Sequence, residues 1–369
     1  MLESLSSLED QRLNYAELHV EKAGISTERL ENLRVAVSRD SPMWETLHFS
    51  LQQVDEHVME VLVPRLVQLV RSGVGLNTRV GVAKFISLLT QQQGSEMQQY
   101  AGTLLKALKA VCRDEKSPSS RHALVSACAS IAKYAGATQI QCLFEDSIAL
   151  YVENTSSAKI TSALLLRELS HQAHDVFVGY HTLVLPTAFI ARFDEDKTVS
   201  NMFEDIWDEN TSGQSIAMQL YASEIIPLAL KGLSNTSWTQ KKMCAIGITK
   251  LAEVGGLTAL QVMSLLKALI EELSNRLWEG KEVLLDAVSA ICKNCSGQIQ
   301  ESSNTDTVNW HTIMSAVLAA CSKKKTIFRN AAFSCLEQVN VSLWLQGCIL
   351  VASVVSVMDP YCLHDFMFS

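Results

Sequence analysis

The chain has 369 residues, of which 48% are hydrophobic and 19% are charged, and its net charge is -8. This composition excludes an intrinsically disordered chain, and the lack of a basic stripe excludes a general nucleic-acid-binding surface. Six prolines and 7% aromatic residues favour an all-helical fold. The ten cysteines are scattered, and residues 1–24 lack an apolar signal core, so we expect reduced thiols and a cytoplasmic protein.

Four helices are predicted at the start of the chain. The first is polar and runs from Ser7 to Lys22, with a capping box at its start. The second is capped by Ser26, and Pro42 opens the third, because proline is tolerated in the first turn of a helix. The fourth covers residues 55–71 and ends before a glycine.

The stretch Leu76–Ala135 contains two consecutive units of one kind. Each unit has a first helix rich in small residues, Asn77–Leu89 and then Pro118–Ala135. A glycine and a second helix with larger apolar residues follow, at Glu96–Cys112 and 138–152. Apolar residues recur at helical spacing on one face, and the units start about 40 residues apart, the period of HEAT and armadillo arrays. The predicted fold class is an all-α, α-α superhelix of about eight helical hairpins.

First helices of the same type recur along the rest of the chain. They are predicted at Ser157–Ser170, Thr239–Val254, Gly280–Asn294 and Thr326–Val339. Three second helices carry a proline inside an apolar run, which removes one backbone hydrogen bond and favours a bend. These prolines are Pro64, Pro186 and Pro227.

An acidic stretch fills the wide gap between the first helices at Ser157 and Thr239. Between Phe193 and Asn210 seven acids face one lysine, which accounts for six of the eight net negative charges. We interpret residues 193–212 as an acidic insertion with a loop and a shortened first helix, Asn201–Asn210. Its interleaved aromatic residues dock either on the array itself or on a partner, and a solvated loop is the plain alternative. The predicted partner contacts are Glu204, Asp205, Trp207 and Asp208.

Two pairs of residues could carry chemistry. His171 and His174 are three positions apart on one helix, a spacing that can hold a metal, but a polar helix end is the favoured explanation. Cys292 and Cys295 form a lone CxxC without a second pair or a preceding strand, so they are interpreted as helix-packing residues. No phosphate-binding glycine loop or nucleophile motif is present. We therefore predict no enzyme activity, no cofactor and no metal.

The C-terminal segment is atypical. Residues 1–339 are predicted to form the solenoid, and residues 340–369 an apolar end. No charged residue occurs from Gln338 to Met358, yet polar residues dilute this run, so a membrane span is disfavoured. The expected structure is a last helix from Ser342 to Val357 that packs on the preceding repeat helix.

Four motifs indicate a family. They are SPMWET from Ser41, TRVGVA from Thr78, IWDEN from Ile206 and WEGKEVLL from Trp278. With them the chain resembles the C-terminal part of the large HEAT-repeat proteasome adaptor and scaffold proteins, most closely plant members. The resemblance covers about residues 2–339. It implies a non-catalytic role: binding the core and regulatory particles of the 26S proteasome, in the cytoplasm and also the nucleus. A generic HEAT adaptor, such as a transport receptor, is the alternative function, and a metal- or thiol-dependent enzyme is the second alternative.

Overall fold

The computed structural model describes residues 1–8, 26–153, 155–302 and 308–345, and every regular element in these ranges is helical. The first ten α-helices are α1 Thr27–Arg39, α2 Pro42–Leu51, α3 Glu56–Ser72, α4 Leu76–Gln93, α5 Gln98–Asp114, α6 Pro118–Ala132, α7 Ala137–Val152, α8 Ser156–Gln172, α9 His174–Val178 and α10 His181–Ala191. The remainder are α11 Lys197–Glu209, α12 Gln214–Leu220, α13 Ala222–Leu233, α14 Trp238–Val254, α15 Ala259–Ser274, α16 Val283–Asn294, α17 Ser296–Ser302, α18 Trp310–Cys321 and α19 Thr326–Leu345. Short 3-10 helices cover Leu2–Leu8 and Gly94–Met97. The predicted all-α, α-α solenoid is confirmed.

Side-chain caps explain where several helices begin. Ser26 Oγ accepts a hydrogen bond from the Arg29 amide at 3.3 Å, as the sequence predicts for α1. Asp55 Oδ1 accepts one from the Val58 amide at 2.9 Å at the start of α3. Each cap satisfies a backbone donor that has no partner inside its helix. The predicted first helices match α4, α6, α8, α14, α16 and α19 within a few residues at most of their ends.

Contacts divide the chain into two compact units. The first comprises residues 1–184 and 201–206. In it the first helices form a continuous layer, because α4 packs on α6 and α6 packs on α8, while α5 packs against α3 and α6. Gly81 of α4 allows the N-terminal 3-10 helix to approach closely, because a Cβ added there would overlap the side chain of Leu5. Ala127 and Cys128 of α6 are fully buried.

The second unit comprises residues 185–200 and 207–369. Its first helices form a layer of the same kind, in which α14 packs on α16 and α16 packs on α19. The other helix of each hairpin lies on this layer: α13 contacts α14 and α15, and α18 contacts α19. The repeated pattern of contacts is that of helical hairpins stacked one on another.

Prolines 64, 186 and 227 lie inside α3, α10 and α13, as predicted. The predictions for the two ends of the chain differ from the structure. Residues 2–8 form a 3-10 helix, and the rest of the predicted first helix, from residue 9, lies outside the described residues. A separate helix was expected from Ser342, but α19 continues without a break to Leu345. The rest of the predicted terminal helix, residues 346–357, lies outside the described ranges, as do all residues to 369.

Among the described helices, none combines the length and the apolar character that a bilayer span requires.

Candidate functional site

Helix α11 carries the predicted contact residues. Asp196 caps it, because its Oδ1 accepts a hydrogen bond from the Thr198 amide at 2.9 Å. One face of the helix is apolar and fully buried, with Val199, Phe203 and Ile206 at 0% exposure. These residues follow the i, i+4, i+7 spacing of one helix face. The helix starts four residues earlier than the sequence predicted, so part of the expected acidic loop is regular structure.

In the first unit, α11 is held by an aromatic contact and an ion pair. The rings of Phe203 and Tyr151 meet edge to face with their centroids 5.1 Å apart. Asp205 Oδ2 lies 3.8 Å from Arg167 Nε, and both side chains are partly exposed. An exposed pair of this kind contributes at most about 1 kcal/mol, so the aromatic contact dominates the packing.

In the second unit, Trp207 lies in the core. Its exposure is 0%, and its ring centroid is 5.1 Å from that of Phe189 and 6.4 Å from that of Tyr221. The Arg192 guanidinium lies 5.5 Å from the Trp207 centroid and 4.5 Å from the Phe189 centroid. Trp207 thus docks on the array itself, one of the two outcomes that the sequence left open. From this position it makes no surface contact, which contradicts its prediction as a partner contact.

The exposed face of α11 is acidic. Glu204, Asp205 and Asp208 are all exposed. Asp208 Oδ1 accepts a hydrogen bond from Gln214 Nε2 at 3.3 Å, a contact at the rim of the helix. The chemistry of this face is that of a weakly paired anionic surface, suited to lysine and arginine side chains of a partner. Contact by these three carboxylates stays a prediction.

The remaining acids of the stretch have local structural roles. Asp194 is 4% exposed and accepts from the Asp196 amide at 3.0 Å. Glu195 Oε1 lies 3.1 Å from Lys242 Nζ. Asp194 is the buried acid of this stretch, whereas Glu195 and Glu209 are exposed, so most of the acidic stretch faces solvent.

A second polar cluster surrounds the GKE motif. Lys241 Nζ lies 2.6 Å from Glu272 Oε2, and Trp278 Nε1 donates to Glu272 Oε1 at 3.2 Å. Lys281 is 1% exposed, and its Nζ donates to the carbonyl oxygens of Asn275 at 2.7 Å and of Leu273 at 3.1 Å. The motif is therefore structural: a buried ammonium caps the last carbonyls of α15.

The GKE motif does not begin a helix, contrary to the sequence prediction. Helix α16 starts at Val283, and Gly280 precedes it with φ +88°, in the left-handed region that favours glycine. The indole Nε1 of Trp278, two residues before Gly280, donates a hydrogen bond to Glu272. Glu272 lies on the preceding helix, α15. The local rules for helix starts consider only neighbouring residues of one helix, so they do not predict this contact.

The residues proposed for metal or thiol chemistry occupy ordinary structural positions. His171 and His174 are exposed, at the end of α8 and the start of α9. Cys292 and Cys295 are both fully buried. Burial raises the pKa of the Cys292 thiol well above its usual value, and it also raises the pKa of Cys295. In the described ranges, no three His, Cys, Asp or Glu side chains are grouped as metal ligands.

Comparisons with known proteins agree with this architecture. The family model described as the HEAT-repeat domain of the proteasome adapter and scaffold protein ECM29 matches residues 1–152. The human proteasome adapter and scaffold protein ECM29 is 33% identical over 351 residues, which is 92% of this chain and 19% of the human protein. The fission yeast (Schizosaccharomyces pombe) proteasome component ecm29 is 28% identical, over 78% of this chain and 17% of that protein.

A designed armadillo repeat protein is similar at 16% identity and a TM-score of 0.31, covering 75% of this chain and 100% of its own, and no conclusion rests on this likeness.

The fold and the surface described above define a helical-repeat protein of the HEAT type. Together with the sequence comparisons they show a chain that is similar, over most of its length, to the ECM29 proteasome adapter and scaffold proteins. It spans 16% to 19% of the length of the curated relatives it matches. Its likeness to plant members stays a prediction.

Proposed function

We propose that this chain is part of a non-catalytic adaptor and scaffold that binds the 26S proteasome. It would contact the core and regulatory particles through its helical-repeat surface and support their assembly, stability or quality control. The observation that carries the proposal is the 33% identity to the human proteasome adapter and scaffold protein over 92% of this chain. The proposed locations are the cytoplasm and the nucleus.

The physical basis of such a role is an extended surface. Stacked hairpins place successive helices side by side, so a partner is contacted over many repeats without a deep pocket. The exposed acids of α11, Glu204, Asp205 and Asp208, supply a charged patch on that surface. Charge on the rim of an interface acts mainly on the association rate and on specificity.

The cysteine pair supports a non-catalytic role. A nucleophilic cysteine needs a thiolate that is accessible and stabilised by neighbouring positive charge. Cys292 has the opposite surroundings, because it is fully buried and its pKa is raised by burial and by Cys335 and Cys295.

An affinity pull-down separates this proposal from its alternatives. The tagged full chain is expressed in cells, recovered at physiological salt, and its partners are identified by mass spectrometry. Recovery of core and regulatory particle subunits supports the proposal. Recovery of transport or trafficking proteins without proteasome subunits would instead favour a generic HEAT adaptor. A copurifying small-molecule substrate turned over by the chain would favour the enzyme.

A further inference from the structure

A polar groove runs along the first unit between α1, α4, α6 and α8. Its larger part has a volume of about 500 Å³ and includes Arg39, Lys84 and Gln91 in its lining. A second part of about 310 Å³ continues it toward Lys133 and shares Ser126 and Gln91 with the first. Because both parts share lining residues, they form one continuous depression across three neighbouring first helices.

The groove carries an excess of positive charge in a chain whose net charge is -8. Its lining includes Arg39, Lys84 and Lys133, whereas its only lining acid among the described residues is Glu28. His122 also lines it and lies 3.7 Å from Glu168, which is on α8. Cationic side chains therefore outnumber acidic ones in the lining of this groove, although the chain as a whole carries a net negative charge.

Lys84 shows that this charge is not neutralised inside the described structure. Its ammonium lies 5.9 Å from the centre of the Trp44 ring, and Lys84 takes part in none of the ion pairs between described residues. Burial lowers the pKa of Lys84, and the neighbouring Arg39 lowers it further. Two cations therefore lie in the lining of the same groove, an arrangement that an added anion would stabilise.

The floor and walls of the groove offer hydrogen bonds. Asn32 on α1 is exposed, and it lines the groove together with Ser119 and Ser126. Gln91 is exposed and reaches the groove from α4. Amide and hydroxyl groups of this kind match the N–H and C=O groups of a peptide backbone.

The dimensions suit an extended chain. Packed helices lie about 8–10 Å apart, so three neighbouring first helices span roughly 20 Å. An extended peptide advances about 3.3 Å per residue, and about six residues would cross this distance. Small side chains such as Ser87 and Ser126 leave room for its backbone.

We propose that this groove binds an extended, acidic peptide segment of a partner protein. Carboxylates of the segment would lie near Lys84 and Arg39, and its backbone would take hydrogen bonds from the polar residues of the lining. A single-stranded nucleic acid is disfavoured, because the lining offers few aromatic rings for base stacking. This surface is distinct from the acidic face of α11, which suits a basic partner.

The test uses the full chain and a fluorescein-labelled peptide of alternating Glu and Gly, about twelve residues long. Fluorescence anisotropy is measured at physiological salt, with a Lys-Gly peptide of the same length as the charge control. We expect saturable binding of the acidic peptide and no saturable binding of the Lys-Gly peptide. Lys84→Glu and Arg39→Glu should each weaken it about tenfold, because they place like charges beside the ligand. Lys84→Gln, which removes only the charge, should have a smaller effect in the same direction.

The matched control is Lys106→Glu, because Lys106 is an exposed lysine on α5 outside the groove. It should change the affinity less than about twofold, since distant surface charges are screened. An equal loss in this control would show unspecific attraction and overturn the proposal. So would the absence of saturable acidic-peptide binding up to about 1 mM, or tighter binding of the Lys-Gly peptide or of an oligothymidylate of equal charge. Circular dichroism and melting confirm that each variant is folded.

Discussion

Lys281 Nζ lies 2.7 Å from the carbonyl oxygen of Asn275, so an almost fully buried ammonium closes the chain segment that follows α15. Burial lowers the pKa of Lys281, while the attraction of Glu272 acts in the opposite direction. The contact joins residues six positions apart through an intervening tryptophan and glycine. This hydrogen bond gives the lysine of the GKE motif a structural role, because it fixes the path of the chain between α15 and α16.

Replacing Lys281 by methionine should destabilise the second unit. The carbonyl groups of Asn275 and Leu273 would remain buried without their donor, at a cost of about 1–3 kcal/mol. Urea unfolding followed by circular dichroism measures the change in midpoint. Lys324→Met is the matched control, because Lys324 is exposed and should tolerate the change. Equal midpoints for the two variants would contradict the capping role.

Replacing Trp278 by alanine should cost about 3 kcal/mol, because a large buried ring is removed. The ring is 5% exposed and donates to Glu272 at 3.2 Å. Trp278→Phe separates the two contributions, since it retains most of the packing and removes the hydrogen bond. An unchanged melting temperature in Trp278→Ala would show that the ring is exposed in solution and available to a partner.

The stability of the second unit should depend on the ionisation of Glu272. Burial opposes ionisation, but hydrogen bonds from Lys241, Asn275 and Trp278 outweigh it and lower the pKa below its ordinary value of 4.5. The pKa of such a carboxyl is lower in the folded state than in the unfolded state. Its ionisation therefore stabilises the fold at pH values above the unfolded pKa, and this stabilisation is lost as the pH falls through the folded pKa.

The difference in urea-unfolding midpoint between the wild type and Glu272→Gln should therefore be large near pH 6 and should shrink below about pH 4.5. Urea unfolding at a series of pH values measures it. The exposed neighbour Glu271 supplies the control, since Glu271→Gln should differ little from wild type at any pH. A pH-independent difference for Glu272→Gln would indicate lost packing instead of lost ionisation.

Helix α11 should resist limited proteolysis as long as Trp207 is in place. An insertion with an exposed acidic loop at residues 193–212, as interpreted from the sequence, would be the first segment to be cut, but the buried face of α11 predicts protection. Trp207→Ala should cost about 3–5 kcal/mol and expose cleavage sites within the helix. Peptide mapping by mass spectrometry locates the cuts. Early cleavage within α11 of the wild type would restore the interpretation as a loop.

Helix periodicity and capping predicted most of the architecture, whereas the side-chain partners were missed. Ser26 and Asp55 start helices by local rules, and those rules operate within four residues of sequence. The Lys241–Glu272 pair joins two different helices, so no local pattern predicts it. The i, i+4, i+7 spacing of Val199, Phe203 and Ile206 was available in the sequence and could have revealed the buried face of α11.

The central claim is tested most directly by sedimentation of the purified full chain with purified 26S proteasome in a glycerol gradient. The account predicts that the chain moves from the top of the gradient into the proteasome fractions. Reversal of Glu204, Asp205 and Asp208 to lysine should reduce this fraction, and added salt should reduce it for the wild type in parallel if these acids meet a basic partner. A wild-type chain that stays at the top of the gradient at micromolar concentrations of both components would contradict the proposal that this chain binds the proteasome.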